Sequence, residues 1–439
     1  MAFLYSSSEK PAVVLDLGSS YLKCGFAGDS SPRAIVPSPV RDLLRAAAPP
    51  TVAGLTRFTR HFSRVLLQLA AYTLRCRDGT AQPLTREGWL DVIAPLMQHI
   101  YFSVLRTKPD ERRVIIIEDL VANTLMRSAI AHVLFDLLNV PSAAFAPSLV
   151  LALSTTGVGS GIVVDIGLAE TRVLPIVHGS PVSRAFQTLP VGAATVRARM
   201  ETPTFSAAMA EEALAQRGFV APRRPARSGA AGDGAADGDA ERSAVAEGSA
   251  AAAGRALEVL WELDGEECSV ATSVLDALLL CSADVRCRAA QNIVLVGGLA
   301  VLPGIDARLR AEIVDRCAEL PRFHSLLPLR ERFGFFAEAE LGGRTLFPAS
   351  TRAWVGGSLL GKLTTFGGAS YQSRSKSPIA LTGMLSVDRK QYLARGLPDP
   401  MSVVDAAALA ELEEAEADAA AAALQGVAAA TEKQANVDE

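Results

Sequence analysis

The stretch Val13-Val14-Leu15-Asp16-Leu17-Gly18-Ser19-Ser20-Tyr21-Leu22-Lys23-Cys24-Gly25-Phe26 decides the fold. A short apolar run ends in an aspartate and a glycine turn, and a second apolar run follows at once. That is the pattern of a buried hairpin with a polar tip. It returns as Ile162-Val163-Val164-Asp165-Ile166-Gly167, followed by Thr171-Arg172-Val173-Leu174-Pro175-Ile176. Coincidence between two hydrophobic strands is the bland alternative, but matched Asp and Gly positions at both tips favour a duplicated domain with a cleft between its halves. Two further apolar runs, 113–118 and 292–296, and a helical pattern over 124–138 complete an alternation of strand and helix, which argues for α/β layers.

The tips carry the chemistry. The turn Gly18-Ser19-Ser20 exposes successive backbone N–H groups and two hydroxyls, a concavity that suits a phosphate. Lys23 on the returning strand reaches the same anion as a point charge. Asp16 and Asp165, facing each other from the two tips, would hold a hard divalent ion directly or through its water shell, as Mg²⁺ on a nucleotide prefers. Gly167 follows the second aspartate, and Gly297-Gly298 follows the strand at 292–296, where paired glycines let backbone approach a ligand closely. Each signal alone is an ordinary turn; together, in a duplicated frame, they predict a nucleotide cleft.

Composition bounds the rest. Of 439 residues, 49% are hydrophobic and 21% charged, which excludes a mostly disordered chain. A formal charge of −4 provides no field that would draw the chain onto nucleic acid or an acidic membrane. No apolar run reaches transmembrane length, so neither a nucleic-acid partner nor a transmembrane segment is expected. Six cysteines without a C-x-x-C pair make neither a disulfide framework nor a zinc site. The chain reads as soluble and intracellular. Residues 221–254, almost devoid of large apolar side chains, predict a disordered insertion. The tail at 406–439 carries eight acidic residues against one lysine and reads as a solvated helix or a frayed end. Arg57, Arg60, Arg64, Arg75 and Arg77 make the segment at 41–85 basic, either as a solvated face or as a contact.

The run from Asp16 through Lys23 to Asp29, with Pro32-Arg33-Ala34 after it, resembles the first phosphate loop of actin and the actin-related proteins. The run at 161–167 resembles their second phosphate loop, and Ile293-Val294-Leu295-Val296-Gly297-Gly298 their adenosine motif. Trp354-Val355-Gly356-Gly357-Ser358-Leu359-Leu360 is similar to the last stretch of the actin body. The likeness covers 11–366. It implies an actin-like duplicated ATPase fold: a first half at 1–158 with the atypical 41–85 segment, and a second half starting at 159–220. The insertion at 221–254 interrupts that half, which resumes over 255–345. The chain then returns to the first half at 346–370, followed by a C-terminal extension at 371–405 and the acidic tail. Little between Val191-Gly192 and Glu258 could build the fourth subdomain of actin, which is expected to be reduced.

The same resemblance implies an adenine nucleotide, ATP or ADP, with Mg, bound by Asp16, Gly18, Ser19, Ser20, Lys23, Asp165, Gly167, Gly297 and Gly298. Asp16 and Asp165 would hold the metal through water. Ser148 stands where actin has the glutamine that orients the attacking water, Leu168 where it has an aspartate, and Arg172 where it has a histidine. Serine is too short for that task and leucine cannot perform it, so hydrolysis is expected to be weak or absent. Glu170 adds a charge that opposes a triphosphate unless Arg172 or Mg²⁺ offsets it, and Leu302 replaces an aromatic on the adenine side.

Glu266-Glu267-Cys268-Ser269-Val270-Ala271-Thr272 and Cys281-Ser282-Ala283-Asp284-Val285-Arg286 look most like the actin-related subunits at the pointed end of the dynactin filament. That likeness implies a cytoplasmic, cytoskeletal, non-polymerising protein. Its partners would be the actin-like filament subunits and the other pointed-end subunits of dynactin, with dynein served indirectly. Leu359, Leu360 and Leu363 on the last helix of the body would form its docking face, although their spacing equally fits a core. The competing readings are an ATP-dependent enzyme of the wider duplicated-ATPase superfamily, which lacks a convincing acidic base here, and a chromatin-associated actin-related protein, which lacks a basic patch.

Overall fold

The computed structural model describes residues 10–38, 73–75, 81–83, 85–120, 124–201, 206–222, 252–336, 347–367 and 384–397. The acidic tail and most of the 41–85 and 221–254 segments lie outside the described residues.

Two sheets carry the two halves. The first contains β1 (Val13–Leu17), β2 (Tyr21–Phe26) and β3 (Ala34–Pro37); β4 (Thr73–Arg75) and β5 (Ala81–Pro83) form a small ladder of their own. With β6 (Val114–Glu118), β7 (Ser142–Pro147) and a late strand at Leu385–Asp388, the first sheet has six strands. Their order is late strand, β7, β6, β1, β2, β3. The second sheet is built from β8 (Gly161–Ile166), β9 (Thr171–Val177), β10 (Ser180–Pro181), β11 (Gln187–Leu189) and β12 (Ile293–Val296). It runs β10, β9, β8, β12, with β11 also on β9; the late strand is β13.

The continuous apolar character of β1 and β6 follows from burial on both faces. Val13 and Leu15 point toward Trp89, Ile93 and Met97 of α1 (Arg86–Gln98), in a core shared with α2 (Thr124–His132). Val14, Ile115 and Ile117 point the other way, into a cluster with Leu151, Trp354 and Val355. Leu151 belongs to α3 (Ser148–Ser154), whose Leu149, Val150 and Leu153 pack on Val163, Leu174 and Ile176 of the second sheet. One short helix therefore joins both cores. The opposite face of the second sheet (Ile162, Val164, Ile166) is covered by α4 (Ala193–Met200), α5 (Ala207–Arg217) and residues that follow them. Among them are Val274 and Leu278 of α6 (Val270–Leu279). After α7 (Ala283–Ala290) and β12, α8 (Ile305–Glu319) adds Leu309 and Ile313 to the same core.

Trp354 and Val355 lie on α9 (Arg352–Gly367), which returns to the first half. Its glycines explain how a helix can lie so close to its neighbours. A side chain at Gly356 would sit 2.1 Å from the Leu151 carbonyl oxygen, and one at Gly357 would sit 2.7 Å from Ile117 Cδ1.

One boundary differs from the expectation. The predicted insertion at 221–254 ends early: residues 252–257 are helical and Ala253 is fully buried, because small side chains fit between Leu257, Leu260 and the sheet. Within the C-terminal extension at 371–405, residues 384–397 form a strand and a helix. β13 pairs antiparallel with β7 through Leu385↔Phe145 and Val387↔Ala143. The helix after it, α10 (Arg389–Arg395), opens with a capping box at Asp388 and stacks Tyr392 on Phe135 at 4.7 Å.

β1, β6 and β7 are mutually parallel, as are β8 and β12, whereas each repeated hairpin is antiparallel. The carboxyl ends of the parallel strands, where open α/β sheets place their ligands, carry Asp16, Glu118, Pro147, Asp165 and Val296.

Candidate functional site

The first hairpin pairs Asp16 with Lys23 across β1 and β2, and Lys23 Nζ lies 2.7 Å from Asp16 Oδ2. Both side chains are mostly withdrawn from solvent, so each charge depends on the other. Gly18, Ser19 and Ser20 form the partly exposed tip, and Ser20 accepts the Ser38 N–H through its carbonyl at 3.0 Å. Beside them the exposed Tyr21 hydroxyl donates to Glu211 Oε1 of α5 at 3.3 Å, a contact from the first half to the second.

The second hairpin repeats the plan with a different cation. Asp165 faces Arg172 in register on β8 and β9, as Asp16 faces Lys23, seven residues apart in both cases. Gly167 N–H donates to the Glu170 carbonyl at 3.0 Å. The N–H groups of Ala193 and Ala194, at the start of α4, donate to the carbonyls of Gly167 and Leu168 at 2.9 and 2.8 Å. The second loop thus supplies the acceptors for that helix end itself. Gly297 closes the third side. Its φ of +98° lies in the left-handed region, and a side chain there would come within 2.5 Å of Asp165 Oδ1. Gly298 beside it has open space where a side chain would be.

Arg172 does more than pair with Asp165. Its Nη2 bonds Asp165 Oδ2, its Nη1 bonds Asp119 Oδ1, and its Nε lies 3.8 Å from Glu170 Oε1. Burial works against the guanidinium charge, but Asp119, Asp165 and Glu170 outweigh it and raise its pKa well above the ordinary value. Asp119 directly follows β6 in the first half, so Arg172 bridges the halves at the strand ends. Sequence reasoning missed Asp119. The signal available was the matched seven-residue acid-to-base spacing of the two hairpins, which marks Arg172 as the counterpart of Lys23.

The first tip fits a phosphate. Gly18, Ser19, Ser20 and Lys23 present an open polar tip with a cation beside it. On the second tip Asp165 Oδ2 already has Arg172 as its partner, while Gly297, having no side chain, leaves room beside Oδ1. Among the described residues no group of three metal-ligating side chains comes together.

A family model of Actin matches residues 7–209 and 264–373. The chain belongs to the actin family. Actin-related protein 10 of Dictyostelium discoideum is 30% identical to it over 186 residues, 42% of this chain and 38% of that protein. Centractin of Schizosaccharomyces pombe is 24% identical over 372 residues, 81% of this chain and 91% of that protein. The fold is accordingly the actin-like ATPase fold, whose members usually bind an adenine nucleotide with Mg. No described helix is long and apolar enough to cross a membrane.

The departures of this actin-family chain can now be placed. Ser148 begins α3 at the carboxyl end of β7, and its Oγ is buried without a hydrogen-bond partner. Leu302 is buried in the second core. On α9, Leu359 and Leu363 are 43% and 42% exposed, one turn apart on the helix, whereas Leu360 is 6% exposed. Leu360 packs with Ala27, Ile115 and Trp354, so it anchors the helix and is not available for the docking that its sequence position suggested.

Proposed function

We propose that this actin-family chain is a non-polymerising end-piece that caps the pointed end of the short actin-like filament of dynactin. There it would help anchor the pointed-end complex and so serve dynein-driven transport on microtubules, in the cytoplasm and on the cytoskeleton. Its partners would be the filament's terminal subunits and the other pointed-end subunits. The likeness to actin-related protein 10 and to centractin supports the reading, as do the motifs around Glu266–Thr272 and Cys281–Arg286. The cleft would hold an adenine nucleotide as a structural filler, on Gly18, Ser19, Ser20, Lys23, Gly167, Gly297 and Gly298. Turnover would be weak or absent, because the short hydroxyl of Ser148 and the apolar Leu168 cannot orient a water.

The observation that carries the reading is the pair Leu359 and Leu363. A subunit that caps a pointed end docks through its opposite face, since only that face complements the exposed end. Two leucines in reach of solvent on the last helix of the body, with Leu360 holding that helix in place, give such a face its apolar anchor.

Leu363→Asp tests it. The side chain is already exposed, so the melting temperature should hold. Binding to the ends of purified actin-like filaments, read by sedimentation and electron microscopy, should weaken about 30-fold, the loss of a ~2 kcal/mol contact. Unchanged end-binding by the correctly folded variant would show that the docking face lies elsewhere.

A further inference from the structure

We infer that Arg172 takes the place of a divalent cation in this cleft: its guanidinium neutralises Asp165 and ties the two halves together, so that closure does not depend on a divalent ion.

Two facing carboxylates at the mouth of a cleft repel each other unless something positive lies between them. A divalent ion is one answer, because it accepts oxygen ligands from both sides at once. A guanidinium is another, because its fork presents several N–H donors in fixed directions and stays charged. Arg172 uses that fork across the cleft. One terminal nitrogen holds Asp165 on its own sheet and the other holds Asp119 at the end of β6 in the other sheet. Its third donor, Nε, is buried and has no hydrogen-bond partner. Cross-strand pairing with Asp165 fixes the side chain's origin, and its 15% exposure leaves little water to compete for it.

The first hairpin shows what is particular to the second. Lys23 stands at the equivalent position, yet its ammonium reaches Asp16 of its own hairpin. A lysine carries a point charge, whereas arginine can bond two acids in different directions. The bridge to Asp119 therefore depends on the guanidinium itself. Tyr21 to Glu211 is a second polar contact across the halves, a hydroxyl on a carboxylate at 3.3 Å and at an exposed position. The packing of α3 joins the cores at their base, whereas Arg172 joins the strand ends.

The inference concerns the isolated chain and stands whether or not the protein caps a filament. The test is thermal unfolding of the full-length protein in excess EDTA and in millimolar MgCl₂ at matched ionic strength. Wild type should melt at the same temperature in both. Arg172→Met should melt lower in EDTA and regain part of the loss in MgCl₂, because Asp165, Asp119 and Glu170 are then left without their cation. A merely structural ion pair would lower both curves equally, so the new Mg²⁺ dependence is the decisive readout. Should Arg172→Met fail to fold, Asp119→Asn removes only the cross-cleft arm and keeps the Asp165 pair. It should increase protease cleavage between the halves, and Arg172→Lys should do the same. Loss of wild-type stability in EDTA would overturn the inference, as would variants that open the cleft no more than wild type.

Discussion

At the scale of single residues, Glu118 is the most sensitive reporter of the first half. It ends β6 with its side chain 18% exposed, 3.2 Å from Arg127 of α2, which is 4% exposed. Burial pushes its carboxyl up from 4.5 to about 7, against the pull of Arg127 and with a further push from Asp119. A carboxyl whose pKa is raised by folding binds its proton more tightly in the folded state. Its contribution is therefore greatest below pH 4.5 and is lost as the pH rises through 7, by on the order of 3 kcal/mol. Arg127→Met should cost about 3–5 kcal/mol at pH 8, where Glu118 is left buried and charged without its partner. The penalty should shrink toward pH 5, and urea unfolding at the two pH values checks both statements. Asp16, Gly18, Lys23 and Asp165 were legible in the sequence because a tight turn and a cross-strand pair are encoded within a dozen residues. Asp119 and the true role of Arg172 were not, because they meet only when two sheets assemble.

At the scale of elements, α9 shows how composition can mislead and geometry can settle the sign of an effect. Glycine in a helix ordinarily costs about 1 kcal/mol relative to alanine. Gly254 follows that rule: it lies in the helical stretch at 252–257 with nothing within 4 Å of an added Cβ. Gly254→Ala should stabilise by up to about 1 kcal/mol. Gly356→Ala should do the reverse, since the added carbon would meet the Leu151 carbonyl at 2.1 Å and force α9 off α3. A loss of about 1–3 kcal/mol is expected, read as a lower urea midpoint with unchanged slope. The strands and long helices of both halves could be read from their apolar periodicity. β13 was missed because Leu385–Asp388 alternates apolar and polar over only four residues, with Val387 alone fully buried, which is too short a run to separate an edge strand from a loop.

At the scale of the whole molecule, the first sheet is assembled from widely separated stretches of chain. β13 completes it at the β7 edge, Arg389 Nε donates to the Phe135 carbonyl at 2.7 Å, and Tyr392 covers Phe135. Val387→Asp places a carboxylate in that dry seam and should destabilise the protein by on the order of 3 kcal/mol. Faster hydrogen exchange in β7 than in β8 would locate the damage in the first half; equal exchange in both would mean that the seam carries no local stability. The second half is closed differently, by Arg308 of α8. Arg308 holds Glu258 at 2.7 and 3.0 Å, the Ala221 carbonyl at 2.9 Å and the buried Glu312 at 2.9 Å. Both flanks of the insertion are thereby fixed to one helix, which is why a long stretch of chain can be accommodated there without opening the core.

The glycine face of α9 has a consequence for how the protein is made. Val14 and Ile117 emerge from the ribosome early, and the helix that covers them follows only after the whole second half, roughly 10–50 s after Ile117 at about 5–20 residues per second. Throughout that interval a nascent chain displays an uncovered apolar wall on its first sheet. A chain truncated before Arg352 should therefore keep this wall exposed and bind a hydrophobic dye that the full-length protein does not.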